Sequence, residues 1–134
     1  MTDDALKLLG LALRGGNLAL GEEPVADACR TGHARLVMLA ADAAGNTADR
    51  AARLIGERNV PLVTLPYEKS QVGFHLGRGT CALLAVTDAG LAAAVMKKLA
   101  AADERYSDTA AVLEERAQRT LRRKRAKAAA RKSK

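Results

Sequence analysis

The side chains that could perform acid-base or metal chemistry are few and widely spaced. The two cysteines, Cys29 and Cys81, lie 52 positions apart and form no Cys-x-x-Cys pair of the kind found in metal and redox sites. His33 and His75 have no carboxylate or cysteine at a spacing that would make a general base or a metal ligand. We therefore predict no catalytic residue, no metal site and no cofactor, with both cysteines buried as small apolar residues.

Neither common phosphate-loop motif occurs in the chain. GxxxxGK[ST] and GxGxxG are both missing, so the pair Gly15-Gly16 is interpreted as the end of a helix. Asp42 follows an apolar run, a position where α/β enzymes often hold an acid. A single Asp after a strand is more commonly a turn or capping residue. An enzyme is therefore the least favoured function.

The formal charge of +7 is concentrated at one end of the chain. Residues 1–102 carry 11 basic and 10 acidic side chains, whereas residues 103–134 carry 11 basic and 5 acidic ones. From Arg116 onward there are ten basic residues and no acidic one. We predict a body over residues 1–101 and a basic arm over 102–134 that is partly helical or disordered, because such a run buries little apolar surface. Arms of this composition usually bind nucleic acid.

A second interpretation of the arm remains open. Ser107 could cap a helix in which Leu113, Ala117 and Leu121 recur at helical spacing and form one thin apolar stripe. That stripe could dock onto another protein, which would make the chain a protein-interaction module. The stripe has no Trp, Phe or Ile to insert into lipid, so we expect no membrane partner.

Composition excludes several other classes. Aromatic residues are 2% of the chain, too few for folds that bind single strands by stacking bases on rows of aromatic side chains. No uncharged apolar run approaches the roughly 18 residues of a membrane span. Asp3 and Asp4 stand where a secretion signal would carry positive charge, so a cytoplasmic location is expected.

Apolar patterning predicts helices that alternate with strands. Thr2 can cap a first helix, which carries Leu6, Leu9 and Leu13 at helical spacing. The predicted strands are Leu18–Leu20, Leu36–Ala41, Leu62–Leu65 and Cys81–Val86. This alternation favours an α/β fold, a three-layer α/β/α sandwich with one sheet between two layers of helices.

The intervening helices have their own boundary signals. The second helix follows Gly21 and ends at Gly32, and the third runs from Asn46 or Thr47 to Arg58 with Asn59 as its left-handed exit. A short fourth helix covers Lys69–Leu76. Asp88 caps a fifth helix that ends with Lys97-Lys98, and the apolar core is expected to end near Ala101.

Several segments together resemble a known family. These segments are Leu8–Gly16, Leu20-Gly21, Ala34–Ala43 with Asn46-Thr47, Val60-Pro61, Val72-Gly73 with Leu76-Gly77, and Ala85–Asp88. In order and spacing they resemble the kink-turn RNA-binding ribosomal proteins of the L-seven-Ae and L-thirty-e type, and within them the bacterial YlxQ-like branch. The resemblance covers about residues 4–100. It implies the same sandwich with a four-stranded mixed sheet, no enzymatic activity, and a ribosomal or other structured RNA as partner, alone or within a ribonucleoprotein.

The resemblance also implies where RNA is held. In this family, RNA contacts the turn between the first strand and the second helix, the first turn of that helix, and a loop before the fourth helix. Gly21 matches the family's glycine, whereas Glu23, Pro24 and Asp27 replace its Asn, Glu and Lys. The candidate RNA-binding residues of the body are Arg14, Asn17, Gly21, Glu22, Glu23, Asp27, Lys69 and Arg78. Those of the arm are Arg119, Arg122, Arg123, Lys124 and Arg125.

The combined prediction is a non-enzymatic RNA-binding protein. Its body docks by shape, and its arginine-rich arm supplies most of the electrostatic affinity.

Overall fold

The structure is a computed structural model that describes residues 3–132. Thr2, the expected cap of the first helix, lies outside the described residues. The helices are α1 (Asp3–Arg14), α2 (Glu22–Arg30), α3 (Gly45–Ile55), α4 (Lys69–His75), α5 (Ala89–Ala102) and α6 (Ser107–Lys132). The strands are β1 (Leu18–Leu20), β2 (Leu36–Leu39), β3 (Leu62–Thr64) and β4 (Leu83–Val86), and a short 3-10 turn, Glu104–Tyr106, precedes α6.

The four strands form one mixed sheet in the order β1-β4-β2-β3. β4 is antiparallel to both of its neighbours, whereas β2 and β3 are parallel. All residues of β2 and β4 are buried because these strands are central and are covered on both faces. The predicted alternation and the four-stranded mixed sheet are therefore confirmed.

Each face of the sheet has its own apolar core. Leu36 and Met38 of β2 pack with Leu6 of α1 and Met96 of α5 on one face. Val37 and Leu39 point to the other face, where they join side chains of α2 and α3. Successive strand residues alternate between the faces, so the apolar runs of the central strands serve both cores. The result is the predicted three-layer α/β/α sandwich.

Two helices end three or more residues away from their predicted last residue. α3 ends at Ile55 rather than at Arg58, because Gly56 takes the positive φ of 58° that was expected of Asn59. α5 continues past Lys97-Lys98 to Ala102, since Leu99 is part of its buried face.

The apolar core does not end near Ala101. Tyr106 is 4% exposed and Leu113 is 2% exposed, and both belong to the cluster that contains α1 and α5. Ser107 is already helical and does not cap α6 from outside, because the 3-10 turn leads directly into that helix. The first half of the arm is therefore packed against the body, and the arm is helical from Ser107 to Lys132.

Two hydrogen bonds fix α6 beside the edge strand β3. The Tyr106 hydroxyl donates to the carbonyl oxygen of Thr64 at 2.6 Å, and the Arg116 guanidinium donates to the carbonyl oxygen of Asn59 at 2.8 Å. Ten helical residues rise about 15 Å and five extended residues span about 16 Å, so the two anchors match in spacing. α6 therefore runs alongside β3 and antiparallel to it.

We expect Leu113→Ala to lower the free energy of unfolding by about 2–4 kcal/mol, because it leaves a cavity between α6 and the body. Val112→Ala is the matched control, since Val112 is 43% exposed on the same helix turn and should change stability by less than about 1 kcal/mol. Urea unfolding of the two variants measures the difference. Equal effects of the two substitutions would show that α6 does not pack on the core.

Candidate nucleic-acid interface

Gly21 forms the turn that the family resemblance assigns to RNA. Its φ is +91°, which side-chain-bearing residues rarely adopt, and an added Cβ would otherwise meet open space. Its N–H donates to the carbonyl oxygen of Leu83 at 2.9 Å, and its own carbonyl accepts from the N–H of Val25 at 3.1 Å. The turn thus joins β1 to α2 with its outer side open to a ligand.

The acids of α2 are largely paired with basic neighbours. The carboxylate of Glu22 accepts from Arg50 of α3 at 2.7 Å, and Asp27 pairs with Arg30 one turn along the helix. Within residues 3–132, Glu23 has no ion pair. Glu23 is therefore the carboxylate in the first turn of α2 that is available to accept hydrogen bonds.

The side chain of Asp42, which follows β2, caps the start of α4. Its Oδ1 accepts from the backbone N–H of Lys69 at 2.7 Å, which confirms the predicted capping role. Glu68 and Gln71 add a reciprocal capping box. Since Asp42 and Gly21 both follow strands that run in the same direction, Lys69 lies at the same end of the sheet as the Gly21 turn.

The loop that carries Arg78 is held by a close approach of two backbones. A Cβ on Gly73 would lie 2.7 Å from the carbonyl oxygen of Gly79 and from Cα of Thr80. The N–H of Arg78 donates to the Gly73 carbonyl at 2.7 Å. Only glycine at position 73 allows this loop to fold back on α4, which fixes the backbone from which Arg78 projects.

The remaining body candidates lie elsewhere. Asn17 precedes β1 and its carbonyl accepts from the N–H of Thr87, which places it at the end of the sheet opposite Gly21. Arg14 lines a groove between α1 and α4 together with Lys7 and His75. The structure therefore brings Gly21, Glu22, Glu23 and Lys69 to one end, and separates Asn17 and Arg14 from them.

The candidate residues of the arm lie on α6, near the end of the sheet opposite Gly21. Arg119 and Arg123 line a cleft between α6 and the body, and Lys124 lines a neighbouring one. Arg122 and Arg125 are exposed and line neither cleft. Arg35 and Arg58, which were not among the candidates, line the same cleft as Arg119 and Arg123. No sequence signal identifies them, because each is a single basic residue before a strand.

The apolar stripe of the arm is largely occupied by the protein itself. Leu113 is buried and Ala117 packs against the core of the body, whereas Leu121 is 40% exposed. The stripe is thus the face by which α6 docks intramolecularly. Leu121 is therefore the exposed residue of the stripe on which the protein-interaction interpretation was based.

The potential catalytic groups stay apart. Both cysteines are buried thiols, and burial raises the pKa of each, with Arg58 opposing the rise at Cys29 and Arg78 opposing it at Cys81. The Thr31 hydroxyl is hydrogen-bonded to Nδ1 of His33 at 2.8 Å, and the ring of His75 contacts Phe74 edge to face.

In the described part of the chain, no three His, Cys, Asp or Glu side chains form a group that could hold a metal ion. No helix between residues 3 and 132 has the length and apolar character needed to cross a membrane.

Known proteins that are similar to the chain include two from bacteria. The chain is 34% identical over 85 residues to the RNA-binding protein YlxQ of Bacillus subtilis (strain 168), a match that covers 63% of this chain and 84% of that protein. The solved structure of a protein with unknown function from Bacillus halodurans C superposes with a TM-score of 0.65 at 29% identity. That superposition covers 71% of this chain and 95% of the other. No family model matches the chain.

We expect Gly73→Ala to destabilise the protein by about 1–3 kcal/mol or more, since the methyl group would push the backbone of the Arg78 loop away from α4. Gly10→Ala is the control. Gly10 lies inside α1 with no atom within 4 Å of an added Cβ, so this change should stabilise by up to about 1 kcal/mol. Thermal unfolding of both variants tests the contrast, and a neutral Gly73→Ala would contradict it.

Proposed function

The chain belongs to the family of the RNA-binding protein YlxQ, and from this membership we propose that it is itself a non-enzymatic RNA-binding protein. Its partner in this proposal is a structured RNA of the kink-turn type, in the ribosome or another ribonucleoprotein. A cytoplasmic location belongs to the same proposal. The observation that carries it is the 34% identity to YlxQ over most of that protein's length.

The charge distribution supports the proposal independently. Within the described residues, no acidic side chain follows Glu115, whereas basic side chains recur to Lys132. Because α6 is helical throughout this stretch, these cations lie along one continuous helix. RNA phosphates bound to such a surface release condensed counterions, which gives an affinity that falls steeply with salt.

The body contributes shape and a few polar groups. The open turn at Gly21 allows an RNA backbone to approach the start of α2, where helix N–H groups and the positive end of the helix dipole face outward. Glu23 can accept a hydrogen bond from a guanine edge beside it. The pairing of Glu22 with Arg50 reduces the repulsion that phosphate would otherwise meet at this turn.

We expect replacement of Arg122, Lys124 and Arg125 by Gln to weaken RNA binding and to reduce the slope of log K against log salt by up to about two, since about 0.7–0.9 is lost per phosphate contact. The matched control replaces Arg53, Lys97 and Lys98, three exposed cations of the body, and should leave the slope unchanged. Titrations of a labelled kink-turn RNA at several salt concentrations measure both slopes. An equal reduction in the two variants would show that net charge, not α6, determines affinity.

We expect the triple change Glu23→Asn, Pro24→Glu and Asp27→Lys to increase preference for a kink-turn over a straight duplex by about tenfold or more. It restores the family's side chains and raises the net charge by two, and each recovered base contact is worth about 1–3 kcal/mol. All three positions are exposed, so the fold should tolerate the changes. The proposal of kink-turn recognition by this turn is wrong if the folded triple variant gains no preference.

A further inference from the structure

Five arginines surround one cleft at the end of the sheet opposite Gly21. The cleft has a volume of about 430 Å³ and lies between α6 and the segments that precede β2 and β3. No Asp or Glu lines it. Its arginines are Arg35, Arg58, Arg116, Arg119 and Arg123.

The fold brings these arginines together from distant parts of the sequence. Arg35 precedes β2 and Arg58 precedes β3, and the two strands are parallel neighbours, so both side chains start from the same sheet end. Arg116, Arg119 and Arg123 occupy positions i, i+3 and i+7 of α6, which place them on one helix face. The bonds of Tyr106 to Thr64 and of Arg116 to Asn59 keep that face turned to the body.

Neighbouring surfaces do not share this uniform charge. A second cleft, between α5 and α6, is lined by Asp88 and Glu114 among others. A third cleft, between the start of α6 and the segment before β3, is lined by Asp108 among others. Of these three clefts, only the arginine cleft is lined by basic residues without an acidic one. Its floor is formed by apolar groups, among them Ala34, Val60 and Leu113.

Several of the guanidinium donors remain available. Arg116 donates one hydrogen bond to Asn59, and Arg119 pairs with Glu115 at 3.1 Å, so each uses part of its donor set. Between residues 3 and 132, Arg58 and Arg123 form no side-chain hydrogen bond or ion pair. Guanidinium groups bind phosphate through two parallel N–H bonds, and an anion also relieves the repulsion among five like charges.

We propose that the arginine cleft binds the phosphodiester backbone of the RNA. This inference rests on the proposed function and adds to it a second contact surface, separate from the Gly21 turn. In this arrangement RNA affinity depends on where the arginines lie, not only on how many positive charges α6 carries. Position and number can be separated because the same helix has exposed arginines outside the cleft.

The test compares two variants of equal charge in the full chain. One replaces Arg58 and Arg123 with Gln, and the control replaces Arg122 and Arg125, which are exposed on α6 and line neither neighbouring cleft. The probe is a fluorescently labelled kink-turn RNA at one fixed salt concentration. We expect the cleft variant to bind about tenfold or more weakly and the control about threefold more weakly, since directed guanidinium-phosphate bonds add to the shared electrostatic attraction.

A second measurement checks the cleft without RNA. Inorganic pyrophosphate should raise the unfolding temperature of the wild type and of the control, but not that of the cleft variant. This readout also verifies that both variants fold, because each must show a cooperative transition.

The outcomes distinguish the inference from the proposed function. Equal losses of RNA binding in the two variants would overturn the arginine cleft while leaving RNA binding intact. A wild type that binds no RNA would overturn the proposed function and the inference together. Polyglutamate that competes with RNA for the cleft at equal charge concentration would assign the site to acidic peptides and also overturn the inference.

Discussion

The cationic surface depends on the packing of α6 against α5 and on the two hydrogen bonds that hold it beside the edge strand β3. Tyr106 and Arg116 bind backbone carbonyls near the two ends of β3, and Leu113 is buried between them. Removal of these contacts would separate Arg119 and Arg123 from Arg35 and Arg58. The same charges would then form a mobile arm with long-range attraction for RNA but without a defined phosphate site.

This packing also explains why a segment rich in charge can stay helical. A helix of 26 residues is about 39 Å long, and isolated helices gain little from propensity alone. Burial of Tyr106 and Leu113 supplies the tertiary contacts for its first half, and pairs such as Arg119 with Glu115 add small local contributions. The first half thereby serves as the fixed base from which the remaining cations extend.

The sequence predicts the central architecture because that architecture depends on local patterns. The apolar runs of β2 and β4, the glycine stop after α1 and the cap at Asp88 are all local signals, and the structure confirms them. The extension of the core to Leu113 was missed because the spacing of Leu113, Ala117 and Leu121 predicts an apolar stripe but does not show which surface that stripe packs against. The arginine cleft was missed for another reason, since Arg35 and Arg123 are 88 positions apart and only the parallel pairing of β2 with β3 and the docking of α6 bring them together.

The positions of the two surfaces restrict how one RNA could contact both of them. The Gly21 turn and the arginine cleft lie at opposite ends of the same strands, and β1 with its flanking residues spans about 13 Å from Asn17 to Gly21. A single phosphate therefore cannot contact both surfaces. An RNA that contacts both must pass around the body from one end of the strands to the other. The two proposed surfaces would then bind different phosphates of the same RNA.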